Sequence, residues 1–384
     1  MSRRLLYGRA FVGGRLRDGV GIEIGDGRIA AVYLEGESPP EAEPFAGTLV
    51  PGFVDLHVHG AAGADFMDGS EQAARAVAAF HAGHGTTALA ATTLSAPREA
   101  TQEALAAAAA VARQPGAAEA AIVGVHLEGP YLNPRRAGAQ DPAALRAADR
   151  GEVAQWLGAA GALPVLMTVA PEVPGVLALI AGLGERVIFS VGHTEATLEQ
   201  AERAFAAGAR HLTHLFNAMP GLHHRQPGPV AAAIAAEGVT AELIADGVHV
   251  HPAMLRLALD LFPKRLLLIT DAMRACGLGD GAYRLGALAV EVRGGEARLA
   301  DGTLAGSLLT MARAVHFMVT RAGVPLERVL PMTSTAPARV LGLTDRGRIE
   351  AGCIADLVEL SSELAVTRVL VRGREVARAS AGGW

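Results

Sequence analysis

The chain has 384 residues, of which 51% are hydrophobic and 19% charged, and its net charge is −5. This composition describes a folded globular protein, excludes a disordered chain, and argues against nucleic acid as the main partner. Length alone allows two or three domains, and the longest oily run, the nine residues "ALAAAAAVA" at 104–112, is too short to span a bilayer.

The first 50 residues alternate short apolar runs with glycine turns, as in "RLRDGVGIEIGDGRIAAVYLEG". Residues 345–384 repeat that style in "DRGRIEAGCIADLVEL" and "VTRVLVRGREV". Both ends read as antiparallel strands, and neither has enough apolar surface to fold alone. Residues 1–50 and 345–384 are therefore expected to form one small β-sandwich domain flanking the domain at 51–344.

From residue 51 the pattern changes to apolar, β-branched runs separated by alanine-rich helical stretches. Strands are expected at 53–59, 86–94, 121–128, 164–170, 186–193, 210–216, 240–249 and 265–272. Segments such as "SEQAARAVAAFHAGHG" and "EATLEQAERAFAAG" read as the helices between them. Eight such units predict an α/β fold, a (β/α)8 TIM-like barrel. A doubly wound open sheet is the alternative, but no glycine-rich phosphate fingerprint follows the first strand. Residues 274–306 break the rhythm with glycines and short strands, which reads as an active-site insertion.

The first strand, in "PGFVDLHVHG" at 51–60, poses a chemical question. Strand alternation puts Asp55, His57 and His59 on one face and Val54, Leu56 and Val58 on the other. Two imidazoles about 7 Å apart at Cα can converge on one ion. The other strands repeat the theme at their C-terminal ends, where barrel enzymes build their sites. Glu128 ends the third, His193 the fifth, His214 the sixth, His249 the seventh and Asp271 the eighth. Independent buried polar residues would each be costly unless paired, so the ring predicts a catalytic metal centre. His81 and His84 precede the second strand and are expected to pack at the far end of the barrel, and His211 to point away from His214. His251 falls at a helix start, where a structural role is expected.

The stretches "PGFVDLHVHG", "HLEGPYLNPRRAGAQ", "VGHTEAT", "HLTHLFNAMPGLHHRQPG", "IADGVHV", "LITDAM" and "LAGS" together resemble the metal-dependent amidohydrolase superfamily over about residues 49–342. Within it they are most similar to the N-acetylglucosamine-6-phosphate deacetylases. The sole lysine, Lys264, precedes the eighth strand at the wrong end of the barrel, so no carboxylated lysine can bridge metals and Glu128 must supply the carboxylate. The resemblance implies Glu128, His193 and His214 as ligands of a divalent ion (zinc, iron or cobalt), with His57 and His59 available for a second. It implies Asp271 as general base and then acid, and His249 as the donor to the acetyl oxygen.

An amino-sugar phosphate is the implied substrate, deacetylated to glucosamine 6-phosphate and acetate. Arg225 is the implied phosphate ligand, with His223 and His224 near it across the interface of an expected homodimer. Asn217, Ala218, Asp246 to His249, and Leu304, Ala305 and Gly306 match the sugar-contacting positions. The chain departs from the pattern at Gln140, a sugar-contacting position where the family often has histidine. That leaves the galactosamine epimer open as substrate. A deaminase or cyclic amidase on the same barrel, and a silent sugar-phosphate sensor, are the other readings. Two cysteines, Cys276 and Cys353, form no disulfide framework, and "MSRRLLYGRAFVGG" lacks a sustained apolar region, so a cytoplasmic protein is expected.

Overall fold

Eight short apolar segments line up as parallel neighbours in chain order, each followed by a helix that returns the chain. In this computed structural model, which describes residues 4–34 and 42–377, the strands are Phe53–Val58, Thr86–Thr93, Ala121–Glu128, Val165–Val169, Val187–Val191, His211–Leu212, Thr240–Ile244 and Leu266–Ile269. The first and eighth close the ring: Asp271 N–H donates to the His57 carbonyl at 2.8 Å and His59 N–H to the Ala272 carbonyl at 2.9 Å. Both faces of such strands are covered, one by the barrel interior and one by helices, so all six residues of the first strand are buried. Its polar face is therefore internal. The helices start on local signals, such as the Ser70 cap of Glu71–Gly83 and the Thr197–Gln200 capping box of Leu198–Ala206.

The sixth and seventh strands are shorter than the apolar runs suggest. The sixth, expected over 210–216, ends at Leu212, because His214 and Phe216 adopt φ of 25° and 79° and turn the chain. The seventh, expected over 240–249, ends at Ile244, and Asp246 to His249 form a turn around Gly247 at φ 81°.

Both ends of the chain meet in one seven-stranded sheet. Glu43–Pro51 pairs in parallel with Arg4–Val12 and antiparallel with Leu357–Leu360, joining the two terminal segments. Leu6, Ile22, Leu49, Leu357 and Leu370 form the core of this sandwich-like unit. Residues 1–3, 35–41 and 378–384, which fall in the segments expected at 1–50 and 345–384, lie outside the described residues. The insertion after the eighth barrel strand folds as a three-stranded antiparallel sheet, Gly281–Leu285, Leu288–Arg293 and Glu296–Arg298. It packs Leu285, Val290 and Ala297 against Leu94 and Met273, which brings it over the barrel mouth.

Candidate active site

The strand ends converge. His193 Nε2 and His214 Nε2 each lie 3.1 Å from Glu128 Oε1 and 3.0 Å from one another. His57 Nε2 is 3.4 Å from the same oxygen and 3.3 Å from His59 Nε2. Asp271 Oδ1 completes the ring, 3.2 Å from His59 Nε2 and 3.6 Å from His57 Nε2. Three of these residues hold the left-handed backbone unusual for non-glycine residues: φ is 46° at His193, 25° at His214 and 51° at Asp271. Such conformations cost on the order of 1–3 kcal/mol each and cluster at functional sites. Here they turn the side chains from the strand line into the mouth.

Hydrogen bonds behind the ring fix which ring nitrogens face inward. A carbonyl oxygen only accepts, so His193 Nδ1–H donates to the Arg136 carbonyl at 2.8 Å. His57 Nδ1–H donates to Glu242 Oε2 at 3.0 Å. Rings so oriented turn their Nε2 atoms toward the Glu128 carboxylate and toward the other imidazoles. Such a cluster favours positive charge at its centre, and the donors are the imidazole and carboxylate set that divalent transition metals take. Local fields agree: burial opposes charge on His59, but Asp271 and Glu128 lift the ring to about 9. Burial likewise pushes Glu128 up, yet His57, His193 and His214 hold it well below the usual carboxylate range. The residues fit a metal.

Around the ring lies a cavity of about 320 Å³, with His59, Glu128, Gln140, His249 and Asp271 among its walls. Burial would raise the Asp271 carboxyl, but His57 and His59 bring it below its ordinary value. It is thus ionised and can accept a proton. His249 Nδ1 is 2.7 Å from Asp246 Oδ2, whose other oxygen takes the Val248 and His249 backbone N–H groups at 2.8 Å. Burial opposes protonation of His249, but Asp246 outweighs it and raises the ring, which favours a second N–H facing the cavity. Asp246 therefore supports His249 from behind.

Asn217 and Ala218, Leu304 and Gly306 also line the cavity, whereas Ala305 is fully buried beneath it. Gly306 has φ 64°, and a Cβ there would sit 2.9 Å from the Asp271 carbonyl oxygen, so the close approach of the insertion to Asp271 requires glycine. Gln140 reaches the ring itself, with Nε2 2.5 Å from Glu128 Oε2.

Arg225 is not brought to the cavity. It sits on the exposed turn 221–226 with Nη1 2.6 Å from His224 Nε2, beside a second cavity that also touches His223. Arg136 borders both cavities, so the two adjoin. Lys264 is exposed before the eighth strand, away from the ring. His81 and His84 bond the Gly60 and Phe80 carbonyls and stay outside the cavity. His251 caps the helix Pro252–Leu261 by accepting the Ala253 N–H.

Glu242 was not expected among the site residues, and His211 was expected to face away. Glu242 is fully buried; it receives His57 Nδ1–H on Oε2, the His214 backbone N–H on the same oxygen at 3.2 Å, and His211 Nε2 on Oε1 at 3.1 Å. Counting alternation from His214 fails because the strand stops at Leu212, so His211 and His214 both face inward. The signal for Glu242 is a lone carboxylate inside the apolar run "TAELIA", which cannot be buried without partners. His126 alternates with Glu128 on the third strand and lies below His57. Its nitrogens are satisfied by the Leu56 carbonyl and Thr168 Oγ1, and burial lowers the ring to about 3, which makes it a neutral floor.

An eight-stranded parallel barrel with a histidine–carboxylate ring at its C-terminal mouth has the architecture of a metal-assisted hydrolase. A profile described as the amidohydrolase family matches residues 48–376. An N-acetylglucosamine-6-phosphate deacetylase of Bacillus subtilis (strain 168) is 40% identical over 365 residues, 92% of this chain and 91% of that protein. An N-acetylgalactosamine-6-phosphate deacetylase of Escherichia coli O157:H7 is 38% identical, covering 92% and 93%. The structure of an Asp-to-Ala mutant of the Mycobacterium smegmatis N-acetyl-D-glucosamine-6-phosphate deacetylase, in complex with N-acetyl-D-glucosamine-6-phosphate, superposes with a TM-score of 0.92 at 40% identity, covering 98% of this chain and 99% of that one. The chain belongs to the amidohydrolase family and, within it, to the N-acetylglucosamine-6-phosphate deacetylases.

Proposed function

We propose that the chain hydrolyses the acetamide of N-acetylglucosamine 6-phosphate, giving glucosamine 6-phosphate and acetate. The observation that carries this reading is the convergence of His193 Nε2 and His214 Nε2 on Glu128 Oε1, with Asp271 alongside. Glu128, His193 and His214 would hold one zinc, iron or cobalt ion, and His57 and His59 a second. A divalent ion held there supplies Lewis-acid polarisation of the amide carbonyl and a lowered pKa for water.

The chain's own groups do the rest. Asp271 takes a proton from the attacking water and returns it to the departing amine nitrogen, so the C–N bond breaks as acetate forms. His249, held by Asp246, donates Nε2–H to the acetyl oxygen as negative charge develops there. Asn217, Ala218, Leu304 and Gly306 contact the sugar from the cavity wall, over the buried Ala305.

Arg225 binds the phosphate. Its place outside the cavity supports a homodimer in which this loop serves the neighbouring subunit's cavity, and the exposed Leu222 beside it fits such a contact. The two cysteines are free and buried, which fits the reducing cytoplasm. No helix among the described residues is long and apolar enough to cross a membrane.

A second substrate, the galactosamine epimer, is favoured by the relative acting on that epimer. The test is an amine-release assay across phosphorylated and unphosphorylated N-acetyl hexosamines, with metal measured on the same sample. Turnover of the phosphorylated glucosamine derivative ahead of its epimer supports the reading. Reversed preference gives the second reading, and turnover of neither overturns both.

A further inference from the structure

We infer that Gln140 is a positioning residue for the metal-ligating carboxylate, and that it makes the two ion sites unequal. The inference rests on the proposed ligand roles of Glu128, His193 and His214. Gln140 is 3% exposed and spans the ends of two barrel strands. Its Oε1 accepts the Ser95 backbone N–H at 2.7 Å, and its Nε2 donates to Glu128 Oε2 at 2.5 Å. A main-chain N–H can only donate, so the atom facing Ser95 must be the amide oxygen and the atom facing Glu128 the nitrogen. The amide is clamped in one orientation, with each polar atom already engaged inside the protein.

This clamp distinguishes the two oxygens of Glu128. Oε1 faces His193 and His214, at 3.1 Å from each Nε2, with His57 Nε2 farther off at 3.4 Å. Oε2 is the oxygen that faces His59, 3.4 Å from its Nε2, and it is the one Gln140 holds. An ion between Glu128, His193 and His214 meets a carboxylate already aimed at it. An ion held by His57 and His59 would either share Oε2 with an amide hydrogen or share Oε1 with the first ion. Partners that orient metal ligands typically change affinity by about 10- to 100-fold, which is enough to order the two sites.

The experiment titrates chelator-stripped protein with Co²⁺ and follows release to a competing chelator, for wild type, Gln140→Met and Gln140→Ala. Methionine keeps the length of the side chain and removes the donor. Wild type is expected to bind a first equivalent more tightly than any second. The variants should lose about 10- to 100-fold in affinity for the first, with little change in KM and little change in the melting temperature of the metal-free protein. Two equal wild-type equivalents would overturn the inequality. A raised KM with unchanged metal affinity would make Gln140 a sugar contact, and an equal fall in metal-free and metal-loaded melting temperatures would make it packing; each overturns the inference. Should neither variant fold, a crystal structure of metal-loaded wild type decides. The Gln140 nitrogen on Glu128 Oε2 supports the clamp, and the nitrogen turned into the cavity overturns it. Wild type that binds no ion at all would instead overturn the proposed function.

Discussion

The ring at the barrel mouth and the turn at 221–226 are built in opposite ways. Every ring residue is at least nine-tenths buried, and all but His59 are aimed by a second hydrogen bond or by a left-handed backbone at a strand end. All six residues of the turn are exposed, and Arg225 contacts His224 rather than the cavity. The groups assigned to bond breaking are preorganised by the barrel, which places them before substrate arrives. The group assigned to substrate choice is left to a loop, where its position depends on what docks against it.

The largest effect should come from the ring. Asp271→Asn keeps the shape and removes the base, so turnover should fall by at least about 10²-fold. Metal content, measured on the same preparation, should stay near wild type, and near-normal turnover would put the proton elsewhere. Glu242→Gln probes the support beneath the ring. It weakens the acceptor that orients His57 Nδ1–H, and metal affinity should drop by about 10- to 100-fold, read by chelator competition. An unchanged affinity would reduce Glu242 to packing.

The loop should behave differently. Arg225→Ala loses a charge-assisted pair worth roughly 1.5–3 kcal/mol, a drop of about 10- to 150-fold in kcat/KM for the phosphorylated sugar. The unphosphorylated sugar should be poor for both proteins and barely change, and metal content should be intact. Equal losses on both substrates would assign Arg225 to the loop's own structure.

The smallest effect on catalysis is expected at His81, a histidine outside both regions. Burial lowers its pKa to about 4. A depressed folded-state value means that stability is fully present above the unfolded value of about 6.5 and is lost as pH falls toward about 4, by on the order of 3 kcal/mol. His81→Gln should flatten that part of the stability curve in denaturant titrations at pH 4–7, without changing turnover at neutral pH. An unchanged slope would show that other groups control acid stability.

Much of this was legible in the residues. Apolar runs ending in His or an acid picked out six residues that the structure brings together, because parallel strands in a barrel bring their C-terminal ends together whatever the helices between them do. What period-two counting could not reach lay where the chain leaves the strand. His211 was expected to face outward because the count ran past Leu212, where the backbone had already turned. Glu242 and His126 lie within strands rather than at their ends, where an ionisable group buried on both faces must have partners. The left-handed conformations at His193, His214 and Asp271 carry no glycine or asparagine to announce them. Arg225 had no strand to fix it, so its resemblance to a phosphate ligand did not place it in the cavity.

In the proposed reaction the ring works through a bound divalent ion to release acetate from a phosphorylated N-acetyl sugar. The most direct measurement is acetate release from N-acetylglucosamine 6-phosphate by protein stripped with a chelator, freed of the chelator, and assayed before and after addition of zinc, iron or cobalt. The stripped protein is expected to show no turnover, with recovery in step with the ion regained. Full turnover by protein shown to be metal-free would contradict it.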